Sequence, residues 1–530
     1  MERPDLPSQA EFLEMEVATP AVNPFIHKIN LTAQDQVKIF ILSVLLAPFR
    51  LVIGLLVFFL FWPISLIRII GLRQEQLSAP ITGWRRTVPH YLVYFWSRIF
   101  FFILGFFRIR VKGQKASVSE APFLVVAPHS SFFDAACMLP CDLPTVLSRA
   151  ENLNIPVIGA LLRFNQSILV HRHDAESRRK TVMEMKRRVL ENGRWPQVLV
   201  FPEGTCGNKS ALLRFKPGAF IAGAPVQPVL IRYHTKPDVT SWTWKGPGMF
   251  KVLWLTLSQL YTDVEVEFLP VYVPNQAEKD NPTVYANNVQ KYMARALGVP
   301  ATTYEFEGSQ PVNVTGHLKL PLEPVIWNVH KLLKKEGFNP KPVEDYRDIC
   351  EKEGWKVGLK KMASLLSMPV TSGLECMFQH YDQDKDGIID FREVVLGLAV
   401  RDGKLTTEEL LDLAFKLFDA EGHGRMTEDV FAAVLRSLLG LTSIDVSRLL
   451  REVCEDGLVE VSQDDFRKFA LSHPDYRKLF ITYMRPPGGQ STERVRRQNG
   501  CVQDGQRHEA FSSKNHYING VAPSSNHTRE

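Results

Sequence analysis

Phe123-Leu-Val-Val-Ala127-Pro128-His129-Ser-Ser-Phe-Phe-Asp134 decides how the chain is read. The apolar run closed by a proline predicts a buried strand. His129 then stands at the strand end, and Asp134 falls early in the element that follows. A histidine beside a carboxylate is a general base with its orienter. The carboxylate fixes the tautomer and stabilises the imidazolium that forms when the base takes a proton. Such a pair carries little weight alone. Downstream, a second strand-like run, Gln197-Val-Leu-Val-Phe201, enters Pro202-Glu203-Gly204-Thr205-Cys206.

Outward from these motifs, strand-like runs at 123–127, 168–170, 197–201, 226–232 and 264–272 alternate with helical ones such as Glu176 to Leu190. That alternation predicts an α/β domain over residues 111–310. Upstream, Ile39 to Trp62 is almost wholly apolar, broken by Pro48 and Arg50. About 20 apolar residues cross a bilayer. The run is either one spanning helix that tolerates Arg50 at a cost or a re-entrant hairpin kinked at Pro48. Tyr91 to Phe107, with Arg98 in its middle, reads as an interfacial amphipathic helix or a buried element. Residues 39–110 thus form a membrane-associated segment with a basic patch at Arg68, Arg73, Arg85 and Arg86. Residues 1–38 are a polar tail, too long and wrongly charged for a cleaved signal peptide. Beyond Arg485-Pro-Pro-Gly-Gly489 the composition predicts a disordered tail, 485–530.

The 530 residues allow two to four domains. A net charge of +6 excludes a polybasic nucleic-acid binder and suits an anionic membrane surface or a phosphorylated substrate. The 7 cysteines show no CxxC spacing, so neither a disulfide framework nor a zinc site is expected.

A second module follows a linker at 311–339. In Asp382-Gln-Asp384-Lys-Asp386-Gly387-Ile388-Ile389-Asp390-Phe-Arg-Glu393, side-chain oxygens stand at positions 1, 3, 5, 9 and 12 of a twelve-residue EF-hand loop. Gly387 makes the turn, Ile388 offers its carbonyl and Ile389 is the β-bridging residue. The loop predicts one Ca²⁺, held by Asp382, Asp384, Asp386, Ile388, Asp390 and Glu393. A second loop, Asp419 to Val430, keeps Gly424 and Met426, but Val430 replaces the bidentate glutamate and His423 an oxygen ligand. It reads as a silent partner. A remnant at Asp456-Gly457 lacks ligands. Residues 340–484 are therefore expected to be an all-α EF-hand domain.

Together, His-x4-Asp and Phe-Pro-Glu-Gly resemble the signatures of the glycerolipid acyltransferases, the 1-acyl-glycerol-3-phosphate acyltransferase-like family. The Glu-Gly-Thr-Cys form, with Phe215-Lys216-Pro-Gly-Ala-Phe220 and Trp242-Thr-Trp244, resembles its lysophosphatidylcholine branch, which carries C-terminal EF-hands. The resemblance implies His129 as base, Asp134 as its partner and Arg172, closing Ile168-Leu-Val-His-Arg172, as a grip on the acceptor phosphate. Arg163 is a weaker candidate. Glu203 is placed to hydrogen-bond the acceptor or orient a cation. Gly204 and Thr205 admit backbone amides to a phosphate, and Lys216 is a further phosphate or CoA contact. Ala224-Pro-Val-Gln-Pro-Val229 matches a motif that is structural or lines the acyl channel. Cys206 has no histidine beside it in sequence, which favours a packing or lining role. No Gly-x-Ser-x-Gly elbow exists to support a serine nucleophile.

The branch implies acyl transfer from acyl-CoA, or acetyl-CoA, to the sn-2 hydroxyl of lysophosphatidylcholine or lyso-platelet-activating factor. It also implies membrane partnership at the endoplasmic reticulum, with Golgi membrane and lipid droplets as further sites. Two alternatives stand beside it. One is acylation of lysophosphatidic acid or glycerol-3-phosphate. The other is a calcium-sensing membrane adaptor on a dead scaffold, against which the intact His129, Asp134, Arg172 and Glu203 argue. Arginines after the apolar run favour a cytosolic catalytic domain; sequons at Asn165, Asn208 and Asn313 would serve a lumenal one.

Overall fold

The computed structural model describes residues 23–484, apart from 74–75, 77, 172–173, 192, 308–309, 317, 420–421, 442–443, 445, 455–459 and 474–475. Arg172, the Asp456-Gly457 remnant and the tail at 485–530 lie outside the described residues. Two compact units meet at Glu323/Pro324.

The first unit is built on a seven-stranded sheet: β1 (Ile109–Lys112), β2 (Phe123–Ala127), β3 (Thr145–Arg149), β4 (Ile168–Val170), β5 (Val198–Val200), β6 (Val226–Tyr233) and β7 (Val264–Phe268). Their order is β1-β7-β6-β2-β5-β3-β4. Every pairing is parallel except β6 with β7. The run that opened the reading is the central strand, and all five of its residues are buried. Phe123, Val125 and Ala127 enter one core, with Val198 and Val200 of β5. Leu124 and Val126 enter the other, with Leu199. That two-residue alternation is why a strand covered on both faces reads as unbroken apolar sequence.

The expected strands at 123–127 and 168–170 stand as read, and 197–201, 226–232 and 264–272 shift by a few residues at their ends. The helix read from Glu176 runs over Ala175–Leu190, with Asp174 as its N-cap. β1 and β3 were not foreseen. Both are short and partly exposed, Ile-Arg-Val-Lys and Thr-Val-Leu-Ser-Arg, and neither forms a continuous apolar run.

The apolar N-terminal run is not one helix, and it breaks at Leu46, two residues before Pro48. Helix α1 (Ala33–Leu45) stops at Leu46, and α2 (Ala47–Ile69) starts there with Pro48 in its first turn. Proline suits that position, where its missing N–H has no helical partner to lose. α2 has 23 residues and is long and apolar enough to cross a membrane; at 1.5 Å per residue it reaches about 34 Å, against about 30 Å of hydrocarbon. Arg50 is not a lone charge in that helix. It is buried and donates to the carbonyls of Leu257, Gln259 and Leu260. The Tyr91–Phe107 stretch belongs to α3 (Trp84–Ile103), which packs against α2. Arg98 donates to the carbonyls of Phe106 and Phe107 just beyond its end. Ala47, Phe101, Leu104 and Phe106 join the Leu124 face of the sheet, so these helices belong to the first unit's core.

Within the expected tail, the described residues, from Asn23 on, pack against the first unit. Asn208 donates to the carbonyls of Asn23 and Ile26, and Ile26 pairs with Lys245. The expected linker is also structured. Strands Gln310–Thr315 and Leu318–Pro321 complete a small antiparallel sheet with Tyr304–Glu307, and Val325–Lys335 is a helix.

The second unit is helical. Helix Ser372–Tyr381 enters the loop at 382–393 and helix Phe391–Asp402 leaves it. Thr407–Phe418 and Glu428–Leu439 flank the second loop. The two loops do not bridge each other. Ile389-Asp390 pairs with Lys356-Val357, and Arg425-Met426 pairs with Val461-Ser462. The partner of the acidic loop is thus a helix–turn–helix formed by Val343–Glu353 and Leu359–Leu365. It retains none of the ligand pattern that would have shown it in sequence.

Candidate active site

Parallel strands align their carboxyl ends, and ligands of open α/β sheets bind there. β2 ends just before His129 and β5 just before Glu203, and the two strands are neighbours. Two residues far apart in sequence are therefore brought together by one pairing.

Past Ala127-Pro128, Ser131 caps a 3₁₀ turn, Phe132–Met138, and Asp134 at its third position bonds back to the cap. This capping box explains the spacing of the motif. It turns Asp134 toward the strand end, where Oδ2 lies 2.9 Å from His129 Nδ1. Oδ2 also accepts from the backbone N–H of Ser130 (2.6 Å) and Ser131 (2.9 Å). Oδ1 accepts from the Tyr233 hydroxyl at 2.7 Å. Asp134 is fully enclosed, while the His129 side chain keeps 22% of its exposure. With Nδ1–H directed to the carboxylate, Nε2 is the nitrogen left to act as base.

Glu203 corrects an expectation. Its carboxylate is completely buried, and both oxygens are committed to backbone: Oε1 to the N–H of His129 (2.7 Å), Oε2 to that of Leu213 (2.9 Å). It ties the His129 loop to the chain after the Phe-Pro-Glu-Gly turn and does not face an acceptor. Burial raises its carboxyl to about 7, against the lowering effect of those two donors. Gly204 has φ +67°, the left-handed conformation that glycine adopts without a Cβ clash. Thr205 is half-buried beside it. Lys216 is also not an open phosphate contact: Nζ donates to the Phe306 carbonyl at 3.3 Å and lies 3.9 Å from Glu305.

Three participants escaped the sequence reading. Phe201 stacks on the His129 ring at 4.3 Å. Tyr233, at the end of β6, holds Asp134 from 99 residues away and lies under Lys209 Nζ at 4.4 Å. Lys209 is itself bound by Asp238 at 2.9 Å. Cys206, set aside for want of a neighbouring histidine, is brought near His129 in space, since the next residue, Gly207, donates its N–H to the His129 carbonyl at 2.8 Å. Burial lowers the His129 imidazole, yet charge and hydrogen bonding from Cys206 and Asp134 outweigh it and leave the group well above its ordinary value. The phenylalanines of His-Ser-Ser-Phe-Phe-Asp were the available signal for a further feature. Phe132 and Phe133 line an apolar cavity of about 560 Å³ that extends between α2 and α3, past Phe58 and Phe100.

In the second unit, Asp382, Asp384 and Asp386 bring carboxylate oxygens within 4.8 Å of one another. Asp382 Oδ1 is buried with no partner. An all-oxygen cluster with an unsatisfied acceptor fits a hard cation. The other expected ligands are engaged elsewhere. Asp390 is gripped by Arg392, and Glu393 is buried and pairs with Arg436 at 3.2 Å. Ile388 is exposed and its N–H donates to Asp386.

Comparison with known proteins identifies the family. The family model described as Acyltransferase matches residues 108–232, and the one described as EF-hand domain pair matches 371–436. Lysophospholipid acyltransferase LPCAT4 of Mus musculus is 52% identical over 472 residues, covering 88% of this chain and 89% of its own. Lysophosphatidylcholine acyltransferase 2 of Danio rerio is 43% identical over 477 residues, 89% and 90% of the two chains. Lysophosphatidylcholine acyltransferase 1 of Rattus norvegicus is 38% identical over 507 residues, 94% and 95%. With identity at this level along both units, the chain belongs to the lysophospholipid acyltransferase family.

Proposed function

We propose that the chain transfers an acyl group from acyl-CoA to the sn-2 hydroxyl of a lysophospholipid, lysophosphatidylcholine first, and an acetyl group to lyso-platelet-activating factor. The observation that carries this is the His129 imidazole, fixed through Nδ1 by a buried aspartate and three residues before Phe132, which with Phe133 lines the apolar cavity. Nε2 takes the hydroxyl proton as the acceptor oxygen attacks the thioester carbon. The tetrahedral intermediate collapses with cleavage of the C–S bond, and the imidazolium returns its proton to the departing CoA thiolate. Asp134 stabilises the imidazolium between these steps. The acyl chain lies in the cavity, whose size is that of an ordinary ligand pocket. Arg172, Gly204 and Thr205 serve the acceptor phosphate.

Membrane association through α2 is part of this reading, at the endoplasmic reticulum and also at Golgi membrane and lipid droplets. The catalytic unit faces the cytosol. Of the sequons named above, Asn208 uses its amide nitrogen to hold the Asn23 and Ile26 carbonyls, and Asn313 is buried. The second unit binds one Ca²⁺ at 382–393.

An acceptor panel with fixed acyl-CoA tests the substrate assignment. Lysophosphatidylcholine is expected to outrun lysophosphatidic acid and glycerol-3-phosphate, and His129→Ala to turn over none of them. Preference for glycerol-3-phosphate would overturn the substrate class and leave the mechanism intact.

A further inference from the structure

A second polar pocket lies at the opposite end of the sheet from His129. It sits where β3 and β5 begin, among Pro144, Pro196 and Gln197, and its volume is about 80 Å³. A single water needs about 10–15 Å³ on this measure, so a phosphate group fits. Strands rise about 3.3 Å per residue, so the length of β2 and β5 separates it from the catalytic base.

Its walls are basic. Arg68 comes from the last turn of α2, Arg86 and His90 from the first turns of α3, and Lys115 from the loop after β1. Asp142 is the pocket's one acidic residue, and His90 Nε2 holds it at 3.0 Å. The decisive residue is Arg68. It retains only 4% of its exposure, yet its Nε is buried with no hydrogen-bond partner. Its guanidinium lies over the Phe164 ring at 4.5 Å. Arg50, in the same helix, satisfies its guanidinium with three carbonyls. A buried cation with no anion is costly, and Arg86 stands close enough to repel it. Gln197 adds a buried acceptor, Oε1, that also has no partner. A phosphate with a hydroxyl or bridging water beside it would satisfy both.

The pocket also touches the apolar cavity. Leu143 and Asn165 line both. An anionic head in one therefore has an apolar channel next to it. Arg68 closes a helix long enough to cross a bilayer, which places the basic end where lipid headgroups lie.

We propose that this pocket binds the phosphate of a phospholipid headgroup, with one chain of that lipid entering only the near end of the adjoining cavity, at Leu143 and Asn165, away from the end at Phe132 and Phe133. Its ligand is distinct from the acceptor at His129, because it enters at the amino ends of the strands. Arg68 and Arg86 supply forked donors and Lys115 a point charge.

The test uses the full chain in detergent, with its thermal midpoint followed against three probes: dioctanoyl phosphatidic acid, dioctanoylglycerol and inorganic phosphate. The phosphatidic acid is expected to raise the midpoint, and dioctanoylglycerol to have little effect. Arg86 and Lys115 are exposed, so a double Arg86→Ala/Lys115→Ala variant should fold. It is expected to bind the lipid at least about 10-fold more weakly, as loss of charged hydrogen bonds requires. Arg68→Lys keeps the charge without the fork and should fall between. Equal lipid affinity in the double variant, or an equal shift from dioctanoylglycerol, would overturn the site. An inorganic phosphate shift equal to that of the lipid at the same concentration would overturn the lipid assignment.

Discussion

The catalytic motif and the acidic loop at 382–393 both gather carboxylates, and they treat them in opposite ways. Around His129 the oxygens are spent. Asp134 takes two backbone N–H groups, a tyrosine hydroxyl and the imidazole, and Glu203 takes two more backbone N–H groups. At 382–393 three carboxylates crowd together with an unsatisfied oxygen, and the position-12 glutamate is held away by an arginine. The first arrangement is organised before substrate arrives, as electrostatic catalysis requires. In the second, the position-12 glutamate is engaged with Arg436, so holding a cation with the full set of expected ligands would require rearrangement. Substitutions in the first should therefore damage chemistry, and substitutions in the second should move an equilibrium.

The largest effect is expected from His129→Ala. Loss of the general base should cut acyl transfer by about 10²–10⁴-fold, with the protein still pelleting after carbonate extraction. Near-normal turnover by the purified variant would remove the mechanism. Asp134→Asn should lose most of the same factor and add a pH signature. The base works neutral, and His129 is held well above the ordinary histidine range, so kcat/KM should rise with pH along a limb above 6.5. Without the carboxylate that limb should move to lower pH. Tyr233→Phe removes one bond to Asp134 and should cost about 10-fold or less, in line with about 1 kcal/mol for a single hydrogen bond.

Glu203 tests whether the organised site is also a strained one. Its carboxyl titrates at about 7 in the fold, against an ordinary 4.5. The neutral form is thus favoured by folding. That contribution is complete below 4.5 and is lost as pH rises through 7, an effect of about 3 kcal/mol. Glu203→Gln cannot titrate and cannot accept at both ends. It should lose activity, and its thermal midpoint should fall less than the parent's between pH 5 and pH 7.5. Parallel curves would show that Glu203 stays charged throughout.

What was legible divides along the same line. Short-range patterns were readable: the buried strands β2 and β5, the helix read from Glu176 to Leu190, the His-x4-Asp pair and the ligand spacing of one loop. Each is a local signal within about a dozen residues. The rest is long-range. Nothing near Tyr233 announces that its hydroxyl ends on Asp134. Cys206 looked isolated because its histidine arrives through the β2–β5 pairing. Arg50 looked like a penalty in an apolar helix because its three carbonyls lie more than 200 residues on. The partner of the acidic loop, Lys356-Val357, was invisible because a loop that has lost its ligands keeps only a β-bridge and two helices. Glu203 was misread for the opposite reason: a motif carboxylate suggests substrate contact, while its two oxygens serve the backbone.

The smallest effect belongs to the loop itself. Titration of the full chain in detergent should show one Ca²⁺, bound in the sensor range of about 10⁻⁷–10⁻⁵ M, and Glu393→Gln should weaken it. Asp419 to Val430 should bind none, because Val430 offers no carboxylate. Arg436 then decides how the site is poised. To reach the metal, Glu393 must leave a partly buried ion pair of the kind worth about 1 kcal/mol. Arg436→Ala removes that competitor and should tighten Ca²⁺ by about 5-fold at pH 7.5, since 1.4 kcal/mol is tenfold. A second effect opposes it. Burial already raises the Glu393 carboxyl, and Arg436 is the main group holding it down. Without the arginine a larger fraction is protonated, and the loss grows as pH falls. The gain should therefore shrink between pH 7.5 and pH 6. A variant that binds Ca²⁺ more weakly than the parent even at pH 7.5 would mean that Arg436 keeps Glu393 ionised and ready, and does not hold it back.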